Sequence, residues 1–516
     1  MMNRRSIYGG WSLVAVGLTV FIGAAILLRT SRPSGVRRLQ AIGQRKLRHR
    51  PNVEGLIDDP VVNPPFALSR TGQFTVLSAD KTYLINTITN KPVFITGEIA
   101  YSLATNLFYN SDIEYYLVTR QSMGFNLIWV AAVDQAYLVN PPGNALDQVP
   151  FVGYPDGGGK AFTHMDEAYF AHLDYVIQRA AAHGFTVLLN AAFVGSGPTW
   201  CSDDTGWCRE LQTASDADLK AYGAYLGNRY KSYPNIIWMM GGDCDVRDYP
   251  IFKTKMDDIA NGIRSVDSVH SMTIETQPPN GASQDNMLGS AWIDLNFLYQ
   301  GAPGMAAKAN ANYKRSDFLP MFIGEDNLEN ETVGDTVERR EAYQGVLGGA
   351  HLGSVFGNCV IWSFGAVYKY CNIQPGQTWR NRLSSTGSVG RQNLGRLMRS
   401  REHWQMVPDI DHSVITAGYG FGDSVTVTSR SRDGQTIVAY VPDGNASTLT
   451  VSMSKITSSS HMAKCWWFDP SSAAPTFIGS YANFGTKNFT PPDSRDWVLV
   501  IDDASAKLPA PGGADL

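Results

Sequence analysis

Asp243 closes the stretch Pro234-Asn235-Ile236-Ile237-Trp238-Met239-Met240-Gly241-Gly242-Asp243, and Glu325 follows Gly324 after the apolar run Met321 to Ile323. Each carboxylate therefore comes directly after a short strand-like run, beside glycines that let a ligand approach the backbone. Other polar residues stand in equivalent places: Glu98, Asp134, Asp245, Glu275 and Asp326, with Asn190, Gln300 and Trp362 at the ends of further runs. A ring of acids, without a His/Cys metal set or a glycine-rich phosphate loop, suits proton transfer and nucleophilic attack on a neutral polar substrate. Hydrolysis of a glycosidic bond uses two such groups, one protonated for the leaving oxygen and one ionised to attack or to activate water. Asp243 and Glu325 are the expected pair, and crowding by Asp245 or Glu275 would keep a proton on Asp243. The competing structural reading has Asp243 capping a helix and Glu325 paired with an arginine.

Eight strands are expected to carry these residues: Val93 to Thr96, Asn126 to Ala131, Thr186 to Asn190, Ile236 to Met240, Ser271 to Ile274, Ile293 to Leu298, Met321 to Ile323 and Cys359 to Trp362. Helical stretches separate them. Ser111 with Glu114 reads as a capping box, Gly124 as a stop, and Phe170, Leu173, Ile177 and Ala181 fall on one helical face. Leu219 to Tyr230 forms another helix before Pro234. The alternation predicts an α/β fold, a (β/α)8 TIM barrel over residues 66–410, with a doubly wound open sheet as the competitor. Its active site would lie at the carboxyl ends of the strands.

Beyond residue 410 the pattern changes. Ser424 to Thr428, Thr436 to Val441, Thr448 to Ser452, Cys465 to Phe468 and Trp497 to Ile501 read as strands, with turns at Asp433-Gly434 and Asp443-Gly444. A C-terminal antiparallel β-sandwich over 411–505 is expected, followed by a flexible tail, 506–516.

The chain has 516 residues, 44% hydrophobic and 17% charged, enough to bury more than one core. A net charge of -4 leaves no electrostatic footprint for a nucleic-acid partner. The aromatic share of 11% suits sugar surfaces. Six cysteines show no zinc spacing, so neither metal nor cofactor is expected; Cys201/Cys208 and Cys359/Cys371 could each close a loop in an oxidising compartment, or all six stay as buried thiols. Trp11 to Leu28 is an uncharged, mostly apolar run after Arg4 and Arg5, read with residues 1–29 as an export signal or a membrane anchor. The basic flank between residues 29 and 50 favours a cytoplasmic carboxyl side by the positive-inside rule, which opposes export and leaves the topology open. Residues 30–65 read as a basic, proline-rich linker.

The stretch from Leu77 to Asp409 resembles the apiosidase-like glycoside hydrolase family. The likeness rests on Gly97-Glu98-Ile99-Ala100-Tyr101, Gly124-Phe125-Asn126, His172 to Ile177, the Pro234 to Asp243 stretch, Gly324-Glu325, and Gly357-Asn358 before Ile361-Trp362. Trp467-Phe468-Asp469-Pro470 and Asp496 to Val500 are similar to the β domain that usually follows this barrel, which has been labelled collagen-binding, a label not carried over as a function. The resemblance implies that Asp243 is the acid/base and Glu325 the nucleophile of a retaining enzyme, with a polysaccharide or oligosaccharide substrate. Three departures from the family's pattern bear on the choice of sugar. Glu98 and Tyr101 stand where an aspartate and a tryptophan are usual, Glu275-Thr276-Gln277-Pro278 where a histidine precedes proline, and Asp326-Asn327 where a proline and an aromatic follow the glutamate.

The substrate-contact candidates are Glu98, Tyr101, Asn190, Glu275, Gln300, Asn358 and Trp362, with Trp200 and Trp207 as further stacking rings. Trp238, His270 and His351 are expected to be structural. A non-catalytic glycan-binding or adhesion protein on the same barrel is the competing function.

Overall fold

A computed structural model describes residues 75–516 apart from 136, 196–205, 278–280, 302–303, 332–333, 367–370 and 446. The segments 11–28 and 30–65, with Trp200 and Cys201, lie outside the described residues. Among the described residues no helix is long and apolar enough to cross a membrane.

Three short strands, β1 (Thr75–Leu77), β2 (Leu84–Asn86) and β3 (Lys91–Val93), form a small antiparallel sheet before the barrel. The barrel strands are β4 (Ile95–Ile99), β5 (Leu127–Ala131), β6 (Thr186–Asn190), β7 (Ile236–Gly241) and β8 (Met272–Glu275), then β10 (Asn296–Tyr299), β11 (Met321–Glu325) and β12 (Gly353–Phe356). β9 (Gly281–Ala282) is a two-residue strand antiparallel to β10. Parallel pairing runs β8-β7-β6-β5-β4-β12-β11-β10, so the eight strands form a (β/α)8 barrel. The backbone ladder is not continued between β8 and β10. Asp294 N and Leu295 N donate to Met272 O at 2.9 and 3.2 Å at the start of that seam, and side chains cross the rest: Ser283 Oγ donates to Ile274 O at 2.7 Å and accepts from Phe297 N at 2.9 Å, and Thr273 Oγ1 donates to Leu295 O at 2.8 Å.

Helices α1 (Asn110–Ser122), α2 (Glu167–Ala182), α3 (Asp216–Tyr230), α4 (Pro250–Arg264), α5 (Met305–Tyr313), α6 (Asp335–Leu347) and α7 (Thr386–Arg399) cover the strands. Between β8 and β10 the described residues hold β9 and the single helical turn Ser283–Asn286. The apolar stripe of α2, with Phe170, Leu173, Ile177 and Ala181, is buried as its spacing requires. Asp166 caps α2 and Ser215 caps α3 through side-chain oxygens. α1 differs from expectation, because Tyr109 is its N-cap and no side chain caps it. Glu114 turns away to Arg179 in the last turn of α2 and to His183 at its C-cap.

Two strand assignments are corrected. The first barrel strand is Ile95–Ile99, since Lys91–Val93 is drawn into the small sheet. The eighth is Gly353–Phe356, and Cys359–Trp362 is a one-turn helix that Asn358 caps by accepting Val360 N at 2.9 Å. A four-residue apolar run has no periodicity to tell helix from strand, while Gly353 and Ser354 mask the true strand.

The C-terminal part contains β13 (Met406–Pro408), β14 (Ile415–Ala417), β15 (Val427–Ser431), β16 (Thr436–Val441), β17 (Leu449–Ser452), β18 (Met462–Asp469), β19 (Ala474–Ala482), β20 (Thr486–Phe489) and β21 (Trp497–Asp503). They form antiparallel sheets ordered β13-β15-β16-β21-β18-β19 and β14-β17-β20. Period-two alternation sends Ile437, Ala439 and Val441 into the core shared with β17, and Val438 and Tyr440 into the core shared with α6 and α7 of the barrel. Tyr440 stacks on Tyr343 with centroids 4.8 Å apart, and Arg339 makes a bidentate pair with Asp496 at 2.7 and 2.8 Å. The segment 506–516, expected to be flexible, instead lies along α7: Gly512 N donates to Ser400 Oγ, and Leu516 N to Arg399 O, both at 3.0 Å.

Candidate active site

The turn that carries Asp243 is built from three consecutive residues with positive φ: Gly241 at 78°, Gly242 at 141° and Asp243 at 40°. A Cβ on Gly241 would stand 2.3 Å from Glu275 O, and one on Gly242 would stand 2.1 Å from the Phe193 ring. Asp243 is the residue in this turn that carries a side chain, and its left-handed backbone is a strain of the kind stored at working sites. Glu275 and Glu325 are the last residues of β8 and β11.

All three acids line one pocket, enclosing about 310 Å³ of non-atom space, at the carboxyl ends of the strands. Tyr101, Trp129, Tyr137, Phe193 and Trp362 supply aromatic walls. The Tyr101 ring packs edge-on against Trp129, Tyr137 and Phe193 at centroid distances of 6.1, 5.4 and 5.4 Å, which fixes the wall. Larger hollows, such as one of about 820 Å³ at the opposite barrel end between Lys91, Arg399 and Trp404, gather no comparable set of acids.

Burial pushes the Asp243 carboxyl up to about 6, partly offset by a hydrogen bond from Tyr299. Burial also holds Glu275 and Glu325 well above the ordinary carboxylate range, and each is raised further by neighbouring acids. The Glu275 and Glu325 side chains interact directly, which lowers the proton affinity of Glu275 and raises that of Glu325. The Tyr299 hydroxyl, at the end of β10, lies close enough to both Asp243 and Glu325 to influence their protonation. Glu331, in the loop after β11, is pushed up to about 7 by burial and by Asp243.

Of the residues singled out in the sequence, Tyr101, Asp243, Glu275, Glu325 and Trp362 come together at the pocket. Glu98 does not reach it: both carboxylate oxygens are held by Arg120, and Tyr116 donates to one of them, all fully buried. The run after the first strand looked like a strand-end acid because no sequence spacing reveals Arg120 on α1. Asn358 is likewise structural, capping its one-turn helix and donating to Glu329 at 2.6 Å. Asn190 lies beneath the Gly241–Asp243 turn, its amide donating to Gly241 O at 3.3 Å. Gln300 donates its backbone N–H to Glu325 O at 3.3 Å and its amide to Gly301 O at 3.0 Å. Asp245 is paired with Arg247, and Asp326 with Arg391. Trp207 is core, its indole donating to Val133 O. Trp238 and His270 share Asp267 in a buried network, and His351 meets Ser429 of the β domain.

Trp129, Tyr137, Phe193, Tyr299 and Glu331 went unnoticed in the sequence. Tyr299 was within reach, since extending the sixth strand by one residue makes it the terminal side chain. Trp129 sits inside a strand and reads as core, and Phe193 and Tyr137 lie in loops without a motif. Among the described residues no group of three or more His, Cys, Asp or Glu side chains is placed to hold a metal ion.

A (β/α)8 barrel with acids and aromatic rings gathered at the carboxyl ends of its strands is an arrangement that glycoside hydrolases use. Residues 78–405 match the model of the apiosidase-like catalytic domain, and the chain belongs to that family. Residues 407–502 match a domain described as "Putative collagen-binding domain of a collagenase". A glycoside hydrolase family 5 structure from Bacteroides vulgatus ATCC 8482 superimposes with TM-score 0.71 at 22% identity, covering 86% of this chain and 95% of its own. A second structure, described as a glycoside hydrolase, gives 0.70 at 22% identity over 84% and 97%. These likenesses establish the fold. No curated protein matches the sequence.

Proposed function

We propose that the chain is a retaining glycoside hydrolase that cleaves a plant or microbial polysaccharide side chain, with Asp243 as acid/base and Glu325 as nucleophile. The observation that carries this reading is that the two carboxyls reach one aromatic-walled pocket from β7 and β11, Asp243 keeping its proton up to about pH 6. Glu325 attacks the anomeric carbon while Asp243 protonates the departing oxygen, and the bond between them breaks. Asp243, now ionised, takes a proton from the water that opens the glycosyl ester. Tyr299 holds both carboxyls, and the rings of Tyr101 and Trp362 offer faces to the sugar.

We also propose that the protein is exported. The Cys359–Cys371 disulfide, and the bonded state of Cys208, support an oxidising compartment.

The test is hydrolysis of a panel of aryl glycosides and plant polysaccharides, with the anomer followed by NMR. Release with retained configuration that falls by orders of magnitude in Glu325→Gln is expected. Near-normal turnover in that variant would remove Glu325 from the mechanism. Glycan binding without turnover by folded wild type would return the protein to the adhesion reading.

A further inference from the structure

Glu275 is a carboxyl that a two-carboxylate mechanism does not need. It ends β8, is 1% exposed, and lines the pocket beside Asp243 and Glu325. Its Oε2 is buried without a hydrogen-bond partner, and its side chain lies against that of Glu325. By itself that contact favours the proton on Glu325, whereas the neighbouring Tyr299 hydroxyl favours Glu325 as the carboxylate. Two carboxyl groups can form a hydrogen bond only if one carries a proton, and two buried carboxylates in contact cannot both ionise. The groups facing this pair are Asp243 on the turn after β7, Tyr299 at the end of β10, Tyr101 after β4, and Glu331 in the loop after β11. The described charges that act on the pair most strongly are thus acids, and a proton is the compensating charge at hand.

We propose that Glu275 is a positioning residue that holds this shared proton and donates it in a hydrogen bond to ionised Glu325, presenting the nucleophile as a carboxylate inside a buried, acidic pocket. The inference rests on the glycosidase reading above. During glycosylation, a Glu325 oxygen bonds to the anomeric carbon, the bond to the leaving oxygen breaks, and that oxygen receives the Asp243 proton. The Glu275 proton stays on Glu275 throughout, donating to the ester carbonyl while the intermediate lasts. Hydrolysis of the ester restores the starting pair.

The experiment uses the full chain and two variants, Glu275→Gln, which keeps a donor but cannot titrate, and Glu275→Leu, which keeps neither. In kcat/KM against pH with an activated aryl glycoside, the acidic limb reports ionisation of Glu325. That limb is expected to stay near the wild-type position in Glu275→Gln and to move up by a unit or more in Glu275→Leu. An unmoved limb in Glu275→Leu, or a change in KM alone shared equally by both variants, overturns the proposal.

A second readout needs no turnover. Infrared titration taken as wild type minus each variant, so that Asp243, Glu331 and the other raised acids cancel, is expected to show a carboxylic acid carbonyl band near neutral pH in both the Glu275→Gln and the Glu325→Gln differences. A difference spectrum without that band for either variant means that the two carboxyls do not depend on one another for the proton and overturns the proposal. If the band behaves as expected while no glycoside is cleaved, the glycosidase reading fails and the proton-sharing pair stands.

Discussion

Arg391 Nη2 lies 2.8 Å from Asp326 Oδ2, with both side chains out of solvent, and Asp326 is the residue directly after Glu325. The same guanidinium reaches Glu338 Oε1 on α6 at 3.1 Å and Val355 O on β12 at 3.0 Å. One side chain of the last barrel helix thus ties together the ends of two strands and the helix between them. Arg391→Met would leave two buried carboxyls without their cation, and a loss of about 3 to 5 kcal/mol is expected in urea unfolding. The triple variant Arg391→Met/Asp326→Asn/Glu338→Gln should recover much of that loss.

The raised proton affinity of Asp243 sets a pH dependence with a definite sign. As the proposed general acid it would work while protonated, so kcat/KM is expected to fall as pH passes about 6. Asp243→Asn should remove that alkaline limb for substrates whose leaving group needs no acid. Stability follows the same proton. A carboxyl whose folded-state affinity exceeds its unfolded value of about 4 contributes fully at low pH and loses that contribution as pH rises through its folded value. Asp243→Asn is therefore expected to melt above wild type at pH 8 and to match it near pH 4, as followed by circular dichroism.

Gly242→Ala tests the turn that carries Asp243. The new methyl meets the Phe193 ring, and the φ of 141° excludes an ordinary L-residue, so the turn must shift. Displacing Asp243 by about 1 Å is expected to cost roughly 100-fold in kcat. Phe193→Ala in the same chain removes the steric conflict but not the φ conflict, and should restore only part of the rate.

The Cys359–Cys371 bond, with Cα atoms 5.7 Å apart, anchors the one-turn helix whose last residue is Trp362. Cys359→Ser/Cys371→Ser is expected to lower stability by about 2 to 4 kcal/mol. Because Trp362 is a pocket wall, KM should rise more than kcat falls in that variant, and steady-state kinetics under matched folding conditions measure the split.

The fold was readable in the sequence where a strand ran long and apolar. Thr186–Asn190 and Ile236–Gly241 declared themselves because parallel strands are buried on both faces. Gly353–Phe356 did not, since a glycine and a serine break its apolar run and a more apolar neighbour outcompetes it. The acids Asp243, Glu275 and Glu325 were legible because a strand end is a local feature. What separated Glu98 from them was not local: Arg120 comes 22 residues later and meets it only once α1 packs on the barrel. The aromatic walls were illegible for the same reason, and Phe193 becomes a wall because Gly242 leaves room for its ring.

The interrupted ladder between β8 and β10 divides the pocket into two lips. Asp243 and Glu275 ride on one, Tyr299 and Glu325 on the other, and the Ser283 and Thr273 hydroxyls bridge them beside the Leu295 N–H on Met272 O. In an unbroken barrel, the gap between residues on neighbouring strand ends is dictated by backbone pitch. Across this seam hydroxyls take over from the ladder, in the manner of an expansion joint. In a glycosidase, a gap of ~5 to 5.5 Å between the two carboxyls retains anomeric configuration and one of ~6.5 to 9.5 Å inverts it. Under the proposed mechanism, the spacing that decides stereochemistry therefore spans a seam held by side chains as well as backbone.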